Sequence, residues 1–279
     1  MQFELIGQTR VIEAITGVEE VPKPLPPFMI LVGPKGQGKH VLVNYLAELY
    51  EMEVLAFENN VDSARTCIAM AQGLSKEKLF VFYDTDNMSI SAKNALLKIC
   101  EEPPKNAHIV MTLQNKDNML RTILSRARTF ELDPYIPSDI GKYCRHRLGI
   151  TDKQELCDYR NFATNIQECN ILYSIGIGDL YDYAYKVYEN ILEVSTSNAF
   201  KIADSVCFSN TTEEGKFPVE LLLRAFQNIV LDELKNTDGV KAGIEMMRCT
   251  QAALNKMKNA AVGKRGIFDM WLLDIRRYR

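Results

Sequence analysis

Phe28-Met29-Ile30-Leu31-Val32-Gly33-Pro34-Lys35-Gly36-Gln37-Gly38-Lys39-His40 decides the fold. The first five residues are apolar and read as a buried strand. After the glycines, Val41-Leu42-Val43-Asn44-Tyr45-Leu46 opens an amphipathic helix. Strand, G-x-x-x-x-G-K and helix in that order make a phosphate-binding loop. Gly33, Gly36 and Gly38 let backbone N–H groups converge on phosphate oxygens, and the helix N-terminus adds positive potential. Lys39 is the cation for the outer phosphates. In a working loop the next residue is Ser or Thr, whose hydroxyl ligates Mg²⁺; here it is His40. Mg²⁺ is a hard ion that prefers oxygen, so an imidazole replaces that ligand poorly. The loop is intact as a fold signal and damaged at its metal end.

On either side of the loop the pattern is one of strands alternating with helices. Upstream, Phe3-Glu4-Leu5-Ile6-Gly7-Gln8 leads into a short helix through Val11, Ile12, Ala14 and Ile15, and the proline-rich Val21–Pro27 is a stiff extended connector. Downstream, Val54–Phe57, Leu79–Tyr83, His108–Leu113 and Thr129–Leu132 read as four more strands. Leu79–Tyr83 is apolar throughout, as in a parallel sheet covered on both faces. Helices are expected over Val61–Gln72, from a Ser89 or Ser91 cap to Pro103-Pro104, and around Asn118–Leu124. Such alternation implies right-handed crossovers and a three-layer α/β domain.

After Asp133-Pro134-Tyr135-Ile136-Pro137 the strand signals stop. Residues 138–190 read as several short helices with a turn at Gly176-Ile177-Gly178. Beyond them come longer helices, Ala199–Cys207, Val219–Leu234, Gly239–Ala261 and Ile267–Arg277, punctuated by Gly215, Gly239 and Gly263. The expected domains are 1–135 (α/β), 136–194 (small, helical) and 195–279 (all-α).

Composition narrows the class. With 279 residues, 47% of them hydrophobic, the chain can bury a sizeable core. No apolar run approaches a membrane span, and Met1-Gln2-Phe3-Glu4-Leu5 lacks a signal-peptide pattern, so a cytoplasmic protein is expected. The seven cysteines form no C-x-x-C clip and the three histidines are scattered, which suggests free thiols and no metal site. Net charge is −3, against nucleic-acid binding by the molecule as a whole. The stretch from Lys241 onward nevertheless carries nine Lys or Arg against three Asp or Glu. That stretch reads either as a solvated helix face or as a surface for DNA or an acidic partner.

Asn94-Ala95-Leu96-Leu97-Lys98 followed by Glu101-Glu102-Pro103-Pro104 resembles the N-A-L-L-K-x-x-E-E-P-P segment of bacterial clamp-loader AAA+ subunits, the gamma/tau and delta prime group of DNA polymerase III. Ile6-Gly7-Gln8 resembles the I-G-Q that opens these domains. Thr122-Ile123-Leu124-Ser125-Arg126-Ala127 resembles their T-I-x-S-R-C motif, with Ala127 in place of Cys. The resemblance implies an AAA+ P-loop domain, then a helical lid domain and an all-α collar domain. It implies partners as well: other clamp-loader subunits of gamma/tau and delta type, and a sliding clamp and primer-template DNA reached through the complex. It implies no membrane.

Departures from the family fall on one function. The family's third strand ends in Asp-Glu-Ala-Asp; without gaps those positions hold Tyr83, Asp84, Thr85 and Asp86. Tyr83 then replaces the Mg²⁺ carboxylate, and Asp84 the glutamate that polarises water. A gapped reading makes Asp84 the Mg²⁺ residue and Thr85 the failed base. The place of the family's lid cation, after Gly176-Ile177-Gly178, holds Asp179. Phosphoryl transfer is mostly positioning and charge neutralisation, so these losses compound. The expectation is a delta prime-like subunit that is not an ATPase on its own, whose loop residues Gly33, Gly36, Gly38, Lys39 and His40, with Asp84, are either a relic that holds no nucleotide or a weak site for ATP or ADP. Arg126 is expected to be an arginine finger supplied to a neighbouring subunit. The alternative is an active, gamma/tau-like ATPase acting on DNA or protein. The zinc module that many members insert between the first and third strands has no counterpart.

Overall fold

The structure, a computed structural model, describes residues 5–18, 21–193, 197, 201, 218–234, 240–257 and 263–278. Apart from Lys201, the expected helix Ala199–Cys207 lies outside them, as do Gly215, Gly239 and the last four residues of the expected helix Gly239–Ala261. The chain divides into two compact units, Met1–Asp139 and Ile140–Arg279.

The first unit is built on five strands: β1 Phe28–Val32, β2 Glu53–Phe57, β3 Lys78–Phe82, β4 Ala107–Leu113 and β5 Arg128–Glu131. Their order is β2-β3-β4-β1-β5 and every pairing is parallel. The helices are α1 Thr9–Thr16, α2 Lys39–Leu49, α3 Val61–Ala71, α4 Ile90–Glu101 and the single turn α5 Arg121–Leu124. Side chains alternate across a strand. Phe28, Ile30 and Val32 therefore pack with Phe80, Phe82, Ile109 and Met111 beneath α3 and α4, and Ile123 of α5 joins them. Met29 and Leu31 pack on the other face with Val81, Val110 and the Leu42, Val43 and Leu46 stripe of α2. Right-handed crossovers explain this division. The chain crosses the sheet one way from β1 to β2 through α2, and the other way from β2 through β3 and β4 to β5, so α2 faces away from α3, α4 and α5.

Local signals set the boundaries. Ser89 caps α4, its hydroxyl accepting from Ala92 N at 3.2 Å, and the helix stops at Glu101, ahead of the two prolines. The segment expected as one helix over Asn118–Leu124 is instead a 3₁₀ turn, Lys116–Asn118, followed by α5.

The second unit is helical among the described residues. It contains α6 (Pro137–Arg147, which straddles the boundary), α7 Lys153–Phe162, α8 Ile166–Ile175 and α9 Ile177–Glu193, then helices Val219–Leu234, Val240–Met257 and Lys264–Ile275. Asp152 and Asn165 cap α7 and α8 through the N–H groups of Glu155 and Glu168. The turn expected at Gly176-Ile177-Gly178 is shorter: Gly176 alone leaves the helical region, at φ 96, and α9 begins at Ile177. Phe226 and Trp271 meet edge to face at 5.0 Å. The indole N–H of Trp271 donates to Thr250 Oγ1 at 2.9 Å, and that hydroxyl donates to the Met246 carbonyl at 2.7 Å. Thr250 is fully buried. Thr250→Val leaves the buried indole N–H unpaired, with an expected loss of ~1–3 kcal/mol in a urea titration. Thr250→Ser should recover most of it, whereas a serine variant no better than valine makes the loss one of packing.

Candidate functional site: a phosphate loop closed by its own side chains

The connections that leave the neighbouring strands β1 and β4 run to opposite sides of the sheet, and in open α/β sheets ligands bind at the carboxyl ends of strands where that happens. The loop Gly33–Gly38 springs from that end of β1. Gly36 and Gly38 both take φ 84, where a side chain is strained, and Gly38 caps α2 with no side chain to accept its first N–H groups. This is the shape of an anion cradle. Lys39, however, is turned back into it. Its Nζ donates to the carbonyls of Gly33 at 2.5 Å and Pro34 at 3.0 Å, and the residue is 5% exposed. Burial pushes the Lys39 amine below the ordinary lysine range, against the opposing pull of Asp84 and Asp86.

The metal end is filled differently from a Mg²⁺ site. His40 and Tyr83 stack, ring centroids 3.9 Å apart and planes tilted by 32°. His40 Nε2 lies 4.0 Å from Asp84 Oδ2, with both side chains more than half exposed. In the ungapped register, the residue at the hydroxyl position and the residue at the carboxylate position are thus an aromatic pair in contact; in the gapped one the carboxylate is Asp84, beside that pair. Of His40, Tyr83 and Asp84, Asp84 alone brings a carboxylate, so these three do not fit Mg²⁺. Asp84 itself sits at φ 49, and its N–H donates to Thr112 Oγ1 at 2.8 Å.

Sequence reasoning gave Asp86 no role. Its carboxylate accepts from the N–H groups of Gln114 at 2.8 Å and Asn115 at 3.0 Å, and from Asn118 Nδ2 at 3.2 Å. Lys93, buried on α4, donates to the Asn118 carbonyl at 2.6 Å. This network ties the ends of β3 and β4 together without a ligand, so Asp86 is a structural carboxylate. An aspartate that ends an apolar strand and lies just before a helix was the available signal.

Arg126 lies elsewhere. Arg128 pairs with Met29, so Arg126, two residues earlier, lies beyond the N-terminal end of β1. The loop leaves the opposite end, roughly 15 Å of strand away. Arg126 Nη1 donates to the Thr122 carbonyl at 2.7 Å, and Nη2 pairs with Glu101 Oε1 at 2.9 Å. Glu101 belongs to the Glu-Glu-Pro-Pro stretch that ends α4. The structure therefore gathers Gly33, Gly36, Gly38, Lys39, His40 and Asp84 at one end of the sheet and places Arg126 at the other.

Of the basic stretch from Lys241 onward, Arg248 pairs with Glu245, Lys264 with Glu220, Arg265 with Asp269 and Arg277 with Asp274. Among the described residues no helix is long and apolar enough to cross a membrane.

Comparison with known proteins agrees with this geometry. A sequence profile described as DNA polymerase III, delta subunit, matches residues 58–135. Replication factor C small subunit 1 of Pyrobaculum arsenaticum is 27% identical over 255 residues, covering 83% of this chain and 72% of that protein. DNA polymerase III subunit delta' of Bacillus subtilis is 36% identical over 66 residues, 24% of this chain and 20% of that one. Among solved structures, a DNA polymerase III gamma subunit-related protein of Thermotoga maritima superposes with a TM-score of 0.50 at 20% identity, covering all of both chains. The RuvB Holliday junction branch migration motor of the same organism gives 0.51 at 14% identity, over 83% of this chain and 76% of that one. These two likenesses speak for the fold. With the quoted motifs and the parallel sheet around a phosphate loop, these matches make the chain similar to clamp-loader proteins of DNA replication.

Proposed function

We propose that this chain is a delta prime-like subunit of a DNA polymerase III-type sliding-clamp loader that does not hydrolyse ATP itself. It takes its place beside gamma/tau-like and delta-like subunits, and acts on the clamp and primer-template DNA as part of their ring. Residues 136–194 serve as lid and residues 195–279 as collar, where the ring contacts fall. Arg126 is offered to a neighbour's nucleotide site. The observation that carries this reading is the His40–Tyr83 stack, which puts two rings where the ungapped register has the family's two Mg²⁺ ligands. The place of Arg126 supports the second half, because an arginine at the far end of β1 cannot serve its own loop.

The test is steady-state hydrolysis by the purified full-length chain with Mg²⁺ and ATP. The expected rate is indistinguishable from background. A turnover of ~1 s⁻¹ or more, in the range of ordinary enzymes, that Lys39→Ala abolishes makes the chain an ATPase and overturns the reading.

A further inference from the structure

The segment that follows β5 has no role in the chemistry considered so far, yet it is held firmly. The Gln8 amide pairs with the backbone of Asp133 on both sides: Nε2 donates to the Asp133 carbonyl at 2.7 Å, and Asp133 N donates to Gln8 Oε1 at 2.9 Å. Arg10 Nη2 adds an ion pair to Asp133 Oδ1 at 2.7 Å. Gln8 is buried and sits at φ 62, directly after Gly7 at φ 71. The Ile6-Gly7-Gln8 stretch is therefore a clamp on Asp133. Pro134 and Pro137 stiffen the backbone on either side of Tyr135 and Ile136.

From this clamp Tyr135 reaches across to the phosphate loop. A Cβ added at Gly7 would stand 3.1 Å from Cδ1 and Cε1 of the Tyr135 ring, and one added at Gly38 would stand 2.6 Å from its hydroxyl oxygen. The hydroxyl also donates to the Gln37 carbonyl at 3.3 Å. The ring rests on the N-terminal arm, and its polar end presses on the glycine that opens α2. An anion bound to the N-terminus of α2 must approach those same backbone N–H groups closely, and the space over Gly38 does not admit even a methyl group.

We propose that Tyr135 is a built-in cap on the phosphate loop that keeps a nucleoside triphosphate off the N-terminus of α2. The cap rests on the reading of the loop as catalytically silent and goes beyond it: lost Mg²⁺ ligands remove hydrolysis, whereas Tyr135 removes binding. It works together with Lys39, which fills the cradle from inside through the carbonyls of Gly33 and Pro34. Binding requires the strap Asp133–Tyr135 to lift, so the apparent affinity is the intrinsic affinity multiplied by the fraction of time the cap is open.

The experiment titrates a fluorescent ATP analogue against full-length wild type, Tyr135→Ala and Tyr135→Leu, by polarisation, with and without Mg²⁺. Tyr135→Leu keeps an apolar contact for Gly7 but lacks the end that covers Gly38, so it carries the test if the alanine variant does not fold. A cap that is open a tenth of the time or less makes both variants bind at least ~10-fold more tightly than wild type. ATP should then raise the melting temperature of the variants more than that of wild type. Gln8→Ala, which frees the strap without touching the ring, should shift affinity in the same direction. Equal affinity in wild type and the folded variants overturns the cap. Weaker binding by the variants also overturns it and makes the ring a platform for the base. ATP hydrolysis by wild type overturns the silent-loop reading, whereas the cap is decided by the affinity of the variants relative to wild type, so failure of one proposal is distinguishable from failure of the other.

Discussion

Complexes rebuilt with Arg126→Ala in place of the wild-type chain are expected to hydrolyse ATP up to ~10³-fold more slowly at the one site that the arginine serves. On the proposed role as a finger supplied in trans, the effect must appear only in the complex, because the phosphate would lie on another chain. The isolated chain should show little change in melting temperature, since Arg126 is exposed and its pair with Glu101 is a surface contact. Such pairs contribute about 0–1 kcal/mol, little enough for the guanidinium to leave Glu101 when a phosphate arrives. The Thr122 carbonyl, on the same turn of chain, holds the side chain near its place meanwhile. Arg126→Lys should rescue poorly, because an ammonium lacks the planar fork that spans two phosphate oxygens. The measurement is clamp-stimulated ATP hydrolysis at matched assembly. Equal rates for wild type and Arg126→Ala return this residue to an ordinary surface arginine.

The elements of the first unit were legible in the sequence because a parallel sheet covered on both faces demands unbroken apolar runs. Phe28–Val32 and Leu79–Phe82 are such runs, and both are buried throughout. The Gly36 and Gly38 positions were legible because the loop needs positive φ there. What was not legible depends on sheet order. His40 and Tyr83 meet because α2 and β3 are brought together at the carboxyl ends of the strands, which no local pattern of either segment encodes. Tyr135 was missed for a similar reason: its contacts, Gly7 and Gly38, lie at the start of the chain and across the loop. The misread turn has a different cause. Glycine in a helix costs only about 1 kcal/mol relative to alanine, so Gly178 can stand in the first turn of α9 while Gly176 alone breaks the chain. The helical half offered fewer signals still, because its stability rests on contacts between helices distant in sequence.

The second large effect is expected at one of those contacts. Arg224, on helix Val219–Leu234, pairs bidentately with Glu168 on α8, Nη1 to Oε2 at 2.8 Å and Nη2 to Oε1 at 3.0 Å. Nη1 also donates to the Phe162 carbonyl at the end of α7. Both side chains are less than a fifth exposed, 18% and 13%. Removing one partner of such a pair strands the other's charge, so Arg224→Met should cost about 3–5 kcal/mol at neutral pH. Glu168 keeps the N–H and hydroxyl of Thr164, which favours the lower end. Replacing both residues, Arg224→Met with Glu168→Leu, should restore most of the loss. The pH dependence has a definite sign. Burial alone would raise the Glu168 carboxyl, but its hydrogen bonds and charge contact with Arg224 outweigh burial and hold it below its ordinary value. A carboxyl lowered in the folded state contributes stability above its unfolded pKa, about 4.3, and loses it as pH falls through the folded value. Arg224→Met lacks the part of this gain that the guanidinium supplies, so its deficit should narrow as pH falls from about 4.3 through the lowered wild-type value, where the wild type loses that gain. Urea titrations of both proteins across that range measure it. A neutral-pH difference below ~1 kcal/mol, the size of an exposed pair, or a deficit that widens in acid, would show that the pair does not join these helices as a buried charge contact.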